Sequence, residues 1–142
     1  MAALTAARNT LKRGTYDQNM ASIPVGNDIV YAGGLVSMLV SSGTGVILAG
    51  QDTDHHRCFG VAAETVDGTG SDEPRCDVHT EGEFLFDTTG ADSAKTGLVA
   101  LISDDQTVLT TGPSHGIIVG IITEVVSATK VWVKLNPYHV TA

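Results

Sequence analysis

The sequence predicts an all-β protein, a β-sandwich or distorted barrel with an N-terminal arm, on three observations. Short runs of Val, Ile, Leu and Ala recur along the chain, sixteen glycines stand mostly between them, and from residue 28 onward no window keeps a helical apolar period with caps. Glycine supplies the positive-φ positions that frequent tight turns need. Three Phe, three Tyr and one Trp are few, so the core is aliphatic and packed between sheets. A chain of 142 residues suits one domain, divided here into an arm and lead-in over 1–27 and a β domain over 28–142.

Taken in order, residues 1–14 read as a short helix with Leu4, Ala7 and Leu11 on one face and Gly14 at its end, marginal if isolated. Gln18, Asn19, Ser22, Pro24 and Gly26 break any period, so 16–27 reads as an extended lead-in. Strands are expected at 28–31, 35–40, 45–49, 59–65, 75–80, 83–86, 98–102, 107–109, 117–126 and 130–135. Turn formers such as Gly33-Gly34, Asp67-Gly68 and Asp104-Asp105 separate most of them.

The chain also resembles itself. Gly34-Leu35-Val36 followed by Ser41, Val46 and Gly50 is similar to Gly97-Leu98-Val99 followed by Ser103, Val108 and Gly112, with one residue of slippage. Residues 59–66 then align with 119–126, and 75–79 with 130–134. A unit of four short strands leaves an apolar face exposed, so two related four-strand units are expected to pack face to face.

The formal charge of −8 is uneven: residues 1–14 carry Arg8, Lys12 and Arg13 without an acid, which leaves −11 on the remainder. Such a body repels phosphate backbones, so nucleic acid is not an expected partner. The longest aliphatic stretch, 116–123, is too short for a membrane helix, and residues 1–14 lack the unbroken apolar core of a signal peptide. Two cysteines are too few for a disulfide framework, and synthesis in a reducing cytoplasm is expected.

Three constellations carry residue types that do chemistry. His55, His56 and Cys58 with Cys76 and His79 supply the donors of a zinc site. If 59–65 and 75–80 form a simple hairpin centred near Thr69-Gly70, however, Cys58 faces Glu81 and Cys76 faces Ala63. The cysteines then lie about 17 Å apart, too far for shared ligation or a disulfide. Gly112-Pro113-Ser114-His115-Gly116 matches the G-x-S-x-G elbow of hydrolases, but a strand follows where that elbow needs a helix. Asp67, Asp72, Glu73 and Asp77 lack the spacing of a calcium loop and read as a solvated acidic loop. No catalytic residue, metal or cofactor is expected, and Trp132 reads as core or subunit interface.

Gly33-Gly34-Leu35-Val36, then Phe59-Gly60-Val61-Ala62-Ala63-Glu64, Glu81-Gly82-Glu83 ahead of Phe84-Leu85-Phe86, and a closing Val131-Trp132-Val133-Lys134-Leu135 form an ordered series. From about Gly33 to Leu135 that order resembles the phage capsid cement, or decoration, proteins. The resemblance implies a β-rich homotrimer on the outside of an icosahedral shell, a virion component that binds the major capsid protein and ties capsomers together. The arm is then a contact element, with Arg8, Leu11, Lys12, Arg13 and Tyr16 as the capsid-contact residues and the loops at 67–74 and 90–95 beside them. Its basic, acid-free character would complement an acidic shell. Two other functions compete with this one. A small trimeric hydrolase of the nucleotide-pool type shares the size, but the chain ends in Asn136-Pro137-Tyr138-His139-Val140-Thr141-Ala142 instead of a glycine-rich phosphate-binding tail. A carbohydrate-binding or host-attachment module would need more exposed aromatics than one Trp and three Tyr allow.

Overall fold

The computed structural model describes residues 3–13, 20–40, 43–70, 72 and 74–136. The strands are, in chain order, β1 (Lys12–Arg13), β2 (Met20–Pro24), β3 (Ile29–Val30), β4 (Leu35–Leu39), β5 (Ile47–Ala49), β6 (His56–Ala62) and β7 (Val66–Asp67). They continue with β8 (Arg75–His79), β9 (Glu83–Asp87), β10 (Val99–Ile102), β11 (Val108–Leu109), β12 (Ile118–Ser127) and β13 (Lys130–Leu135). One 3-10 turn, Ser93–Lys95, is capped by the Asp92 carboxylate, which accepts from the Ala94 N–H at 3.0 Å. The protein is all-β, as expected. No helix among the described residues is long and apolar enough to cross a membrane.

The described residues form three sheets. A six-stranded sheet runs β1-β9-β13-β12-β10-β11, a five-stranded sheet β2-β8-β6-β4-β5, and β3 pairs with β7 alone. Neighbouring strands are antiparallel throughout. Both large sheets curl until their ends touch at an isolated parallel bridge, Val25 to Ile47 in one and Asp87 to Thr107 in the other. Each is therefore pinned at one corner, which is the barrel-like distortion of the sandwich.

The internal repeat holds at the level of register. The series β2, β4, β5, β6, β8 and the series β9, β10, β11, β12, β13 follow the same chain order and stand in the same order across their sheets. Val61 pairs with His79 and Ala62 with Val78; Ile121 pairs with Lys134 and Ile122 with Val133. Leu35 pairs with Val61 and Val36 with Gly60; Val99 pairs with Ile121 and Ala100 with Gly120. Each register then shifts by a bulge, which skips Phe59 in the first repeat and Val119 in the second. The repeat thus has five strands where four were expected, because β2 pairs with β8 as β9 pairs with β13. It also equates Leu35 with Val99, one residue from the alignment of Leu35 with Leu98.

Alternation explains the two cores. Inward positions of the second repeat, Phe84, Phe86, Ala100, Ile102, Val131 and Val133, fill the larger one, together with Leu35, Cys58 and Val61 from the first repeat's sheet. The opposite face of that first sheet, with Val36, Ile47, Ala62, Cys76 and Val78, joins Val30 and Val66 of β3 and β7 in the smaller one. The first repeat's sheet is therefore covered on both faces, which suits its lack of strict polar alternation.

Three local expectations are corrected. Residues 3–11 are extended instead of helical, because their backbone groups bond to distant loops instead of to each other. β6 spans 56–62 instead of 59–65, since the chain beyond Ala62 peels away and Val66–Asp67 pairs with β3. The β6–β8 pairing is displaced by one residue from the simple hairpin, and continuing it places Cys76 opposite Glu64 instead of Ala63.

Candidate contact surface

The arm is a strap laid across both repeats. Its bed is Gly33-Gly34, where a side chain has no room. A Cβ on Gly33, whose φ is +85°, would lie 2.3 Å from the Arg8 carbonyl oxygen, and one on Gly34 would lie 2.8 Å from Leu4 Cδ1. The Arg8 N–H donates to the Ala32 carbonyl at 2.9 Å, and the Thr10 hydroxyl donates to the Gly33 carbonyl. These contacts hold the strap to the first repeat. On the second repeat, the Leu4 N–H donates to Asp105 Oδ1 at 2.8 Å, and Arg8 Nη1 to the Gln106 carbonyl at 3.3 Å. Arg8 Nη2 also stands 3.6 Å from Asp87.

Further along, β1 adds to the edge of the six-stranded sheet. Lys12 pairs with Phe84 and Arg13 with Glu83, while the Leu85 N–H donates to the Leu11 carbonyl at 3.0 Å. Arg13 then gathers the outer face of that sheet. Its Nε donates to Glu83 at 3.0 Å, its Nη1 to Glu124 at 2.6 Å, and its guanidinium lies 4.3 Å from the centre of the Trp132 ring. Thr123 donates to the same Glu83 oxygen at 2.6 Å.

Of the five residues expected to touch a capsid, Arg8 and Arg13 have partners within the chain, Leu11 presents a side chain 49% exposed, and Lys12 is placed by its backbone pairing. Tyr16 lies outside the described residues. Strap and edge strand give the two arginines partners remote in sequence, which no local pattern announces. The signal that was available is the Gly33-Gly34 pair, read as a turn although it is also the strap's bed.

The carboxylates that hold the strap differ in electrostatics. The Thr123 hydroxyl holds Glu83 below its usual value; partial burial opposes this, and Arg13 adds to it. A carboxylate with a depressed folded pKa stabilises above its unfolded pKa and loses that contribution as pH falls through the folded one. Urea unfolding at a series of pH values is therefore expected to show the wild type losing about 1 kcal/mol below the ordinary carboxylate range that Glu83→Gln does not lose. Parallel profiles would remove Glu83 from the strap's anchorage. Asp105, 1% exposed, is the opposite case: burial raises its pKa, the Leu4 N–H works against that, and Asp104 and Asp28 add to the rise.

The other candidate residues are placed as follows. Cys58 is in the larger core and Cys76 in the smaller; both are free, and burial pushes their thiols up to about 12 and about 11. Gly112–Gly116 is a loop closed on Asp52, whose carboxylate accepts the Ser114 N–H at 2.7 Å and the His115 N–H at 2.9 Å, with His115 Nδ1 at 3.0 Å. Burial would raise the Asp52 pKa, but these donors outweigh it and hold it low. Strand β12 follows that loop, so Ser114 does not sit on a turn into a helix. Asp67 accepts from the N–H and hydroxyl of Thr69 in an exposed turn. Trp132 lies half-buried on the outer sheet face under Arg13.

The strap spends its two arginines within the chain and leaves Leu11 exposed. No family model, curated protein or solved structure matches this chain.

Proposed function

We propose that this protein is a capsid cement protein: a homotrimer, made in the host cytoplasm, that binds the exterior of a phage shell and stabilises it by bridging capsomers through contacts with the major capsid protein. It works by binding, without catalytic residues or a cofactor. The order of glycine-punctuated strands from Gly33 to Leu135 supports the family. The observation that carries the reading is the six-stranded sheet, aliphatic on both faces in β10 and β12 although only one face fills the core. A body with surplus apolar sheet and a net charge of −8 suits a protein whose copies associate with one another and stay soluble until the assembly meets the shell.

Symmetric shells repeat their binding sites, so an oligomer engaging several at once gains avidity from modest contacts. The test is co-sedimentation of the purified protein with undecorated shells. Saturable pelleting at a fixed number of copies per capsomer is expected. Protein that stays in the supernatant at every concentration excludes the reading.

A further inference from the structure

A sheet with one face on the core and the other in water alternates apolar and polar residues. β10 reads Val99-Ala100-Leu101-Ile102, and β12 opens Ile118-Val119-Gly120-Ile121-Ile122. Ala100, Ile102, Val119 and Ile122 fill the larger core, whereas Val99, Leu101, Ile118 and Ile121 point away from it and are half-buried. Register sets Val99 beside Ile121, and Leu101 between Ile118 and Leu109. Five aliphatic side chains thus form one continuous band on the outer face.

The first repeat shows what covers such a band. Leu35, Cys58 and Val61 hold the positions equivalent to Val99, Ile118 and Ile121, and they are 1%, 0% and 1% exposed, packed into the core of the second repeat. A sheet of this same chain is therefore already the occupant once. The second band cannot reuse that arrangement, because the far face of the first sheet is filled by Val30 and Val66. The band is then left for other copies of this chain to cover.

Charge agrees. The chain's net charge is −8, which opposes association of two copies, yet this face pairs Lys130 with Asp87, Arg13 with Glu83 and Glu124, and Lys134 opposite Glu83. These charges lie on the β9–β13 side of the aliphatic band and are balanced within the chain, so the face brings little of the net −8 into a contact between copies.

We infer that this outer face, centred on Val99, Leu101, Ile118 and Ile121, is the subunit interface, where the bands of the three copies converge about the threefold axis of the trimer. The inference rests on the reading of the protein as an oligomeric cement protein and names the surface by which it assembles.

Light scattering on the eluting full-length protein tests it. The wild type is expected to be oligomeric, and Leu101→Lys and Ile121→Lys monomeric with an unchanged β-sheet circular dichroism spectrum. Each lysine should weaken assembly by roughly a hundredfold, since it enters an apolar contact as an unpaired charge. A wild type that is monomeric at about 100 µM, or variants that assemble as it does, overturns the inference. If a lysine variant does not fold, Leu101→Cys gives the second readout: both native thiols are buried, so oxidation should join copies through the engineered one. Absence of that cross-link also overturns it. Oligomers that fail to bind shells would remove the cement reading and leave the interface, and shell binding by a monomer would do the reverse.

Discussion

Replacing Gly120 or Gly60 with alanine is expected to destabilise the protein by about 3 kcal/mol or more, a fall of roughly 10 °C in melting temperature. A Cβ on Gly120 would lie 1.9 Å from the Lys134 carbonyl oxygen, and one on Gly60 would lie 2.0 Å from that of His79. The obstacle is backbone in both cases. Relief requires moving β13 from β12, or β8 from β6, and breaking the ladder that joins each pair. Gly60 adds a φ of +143°, a conformation that L residues rarely adopt. The two glycines are equivalent in the repeat, each beside a bulge and each facing an equivalent carbonyl, so both substitutions should fail in the same way. Gly70, with nothing within 4 Å of its Cβ position, is the control, and Gly70→Ala should stay within about 0.5 kcal/mol of wild type. Urea midpoints measured for all three decide it. A tolerated Gly120→Ala would mean that the β12–β13 register is wrong.

Removing residues 1–13 is expected to cost about 4 kcal/mol, because the strap supplies several partly buried hydrogen bonds at about 1 kcal/mol each and covers the apolar edge at Phe84. Asp105 separates the strap's hydrogen bonding from its charge. Asp105→Ala takes away the acceptor of the Leu4 N–H and should destabilise. Asp105→Asn keeps an oxygen there and removes a buried charge. Since burial raises the folded pKa above the unfolded one, the wild-type carboxylate weakens the fold once ionised, and the penalty fades as pH falls from the folded pKa to the unfolded one and is gone below it. Asp105→Asn is therefore expected to be the more stable at neutral pH and to converge with wild type in acid. Chemical unfolding at both pH values reads this directly. A truncated protein as stable as the full chain would show the strap to be ornamental to folding.

Much of the β body was readable because burial on one or both faces stamps a pattern on consecutive residues. The runs at 35–40, 83–86, 117–126 and 130–135 lie within a residue of β4, β9, β12 and β13. β1 and β7 have two residues each, too few for any period, and β2, Met20–Pro24, lacks alternation and ends in proline. The repeat was found from shared glycines and valines, yet aligned one residue out between β4 and β10. Register there is set by the strand partners and the bulges at Phe59 and Val119, which no single strand reveals. The strap escaped for a related reason. Residues 1–14 carry leucines at helical spacing, but helix propensity is weak against bonds to Ala32, Asp105 and Leu85 that are remote in sequence. What the arm's composition did convey was its chemistry, basic and acid-free, and two of its cations close onto Asp87, Glu83 and Glu124 of the second repeat.

Heating particles that contain or lack this protein tests its role most directly. Shells assembled without it should lose integrity at lower temperature, and adding the purified wild-type protein should restore the difference. Shells that open at the same temperature whether or not the protein is present and bound would contradict the proposal that it acts as cement.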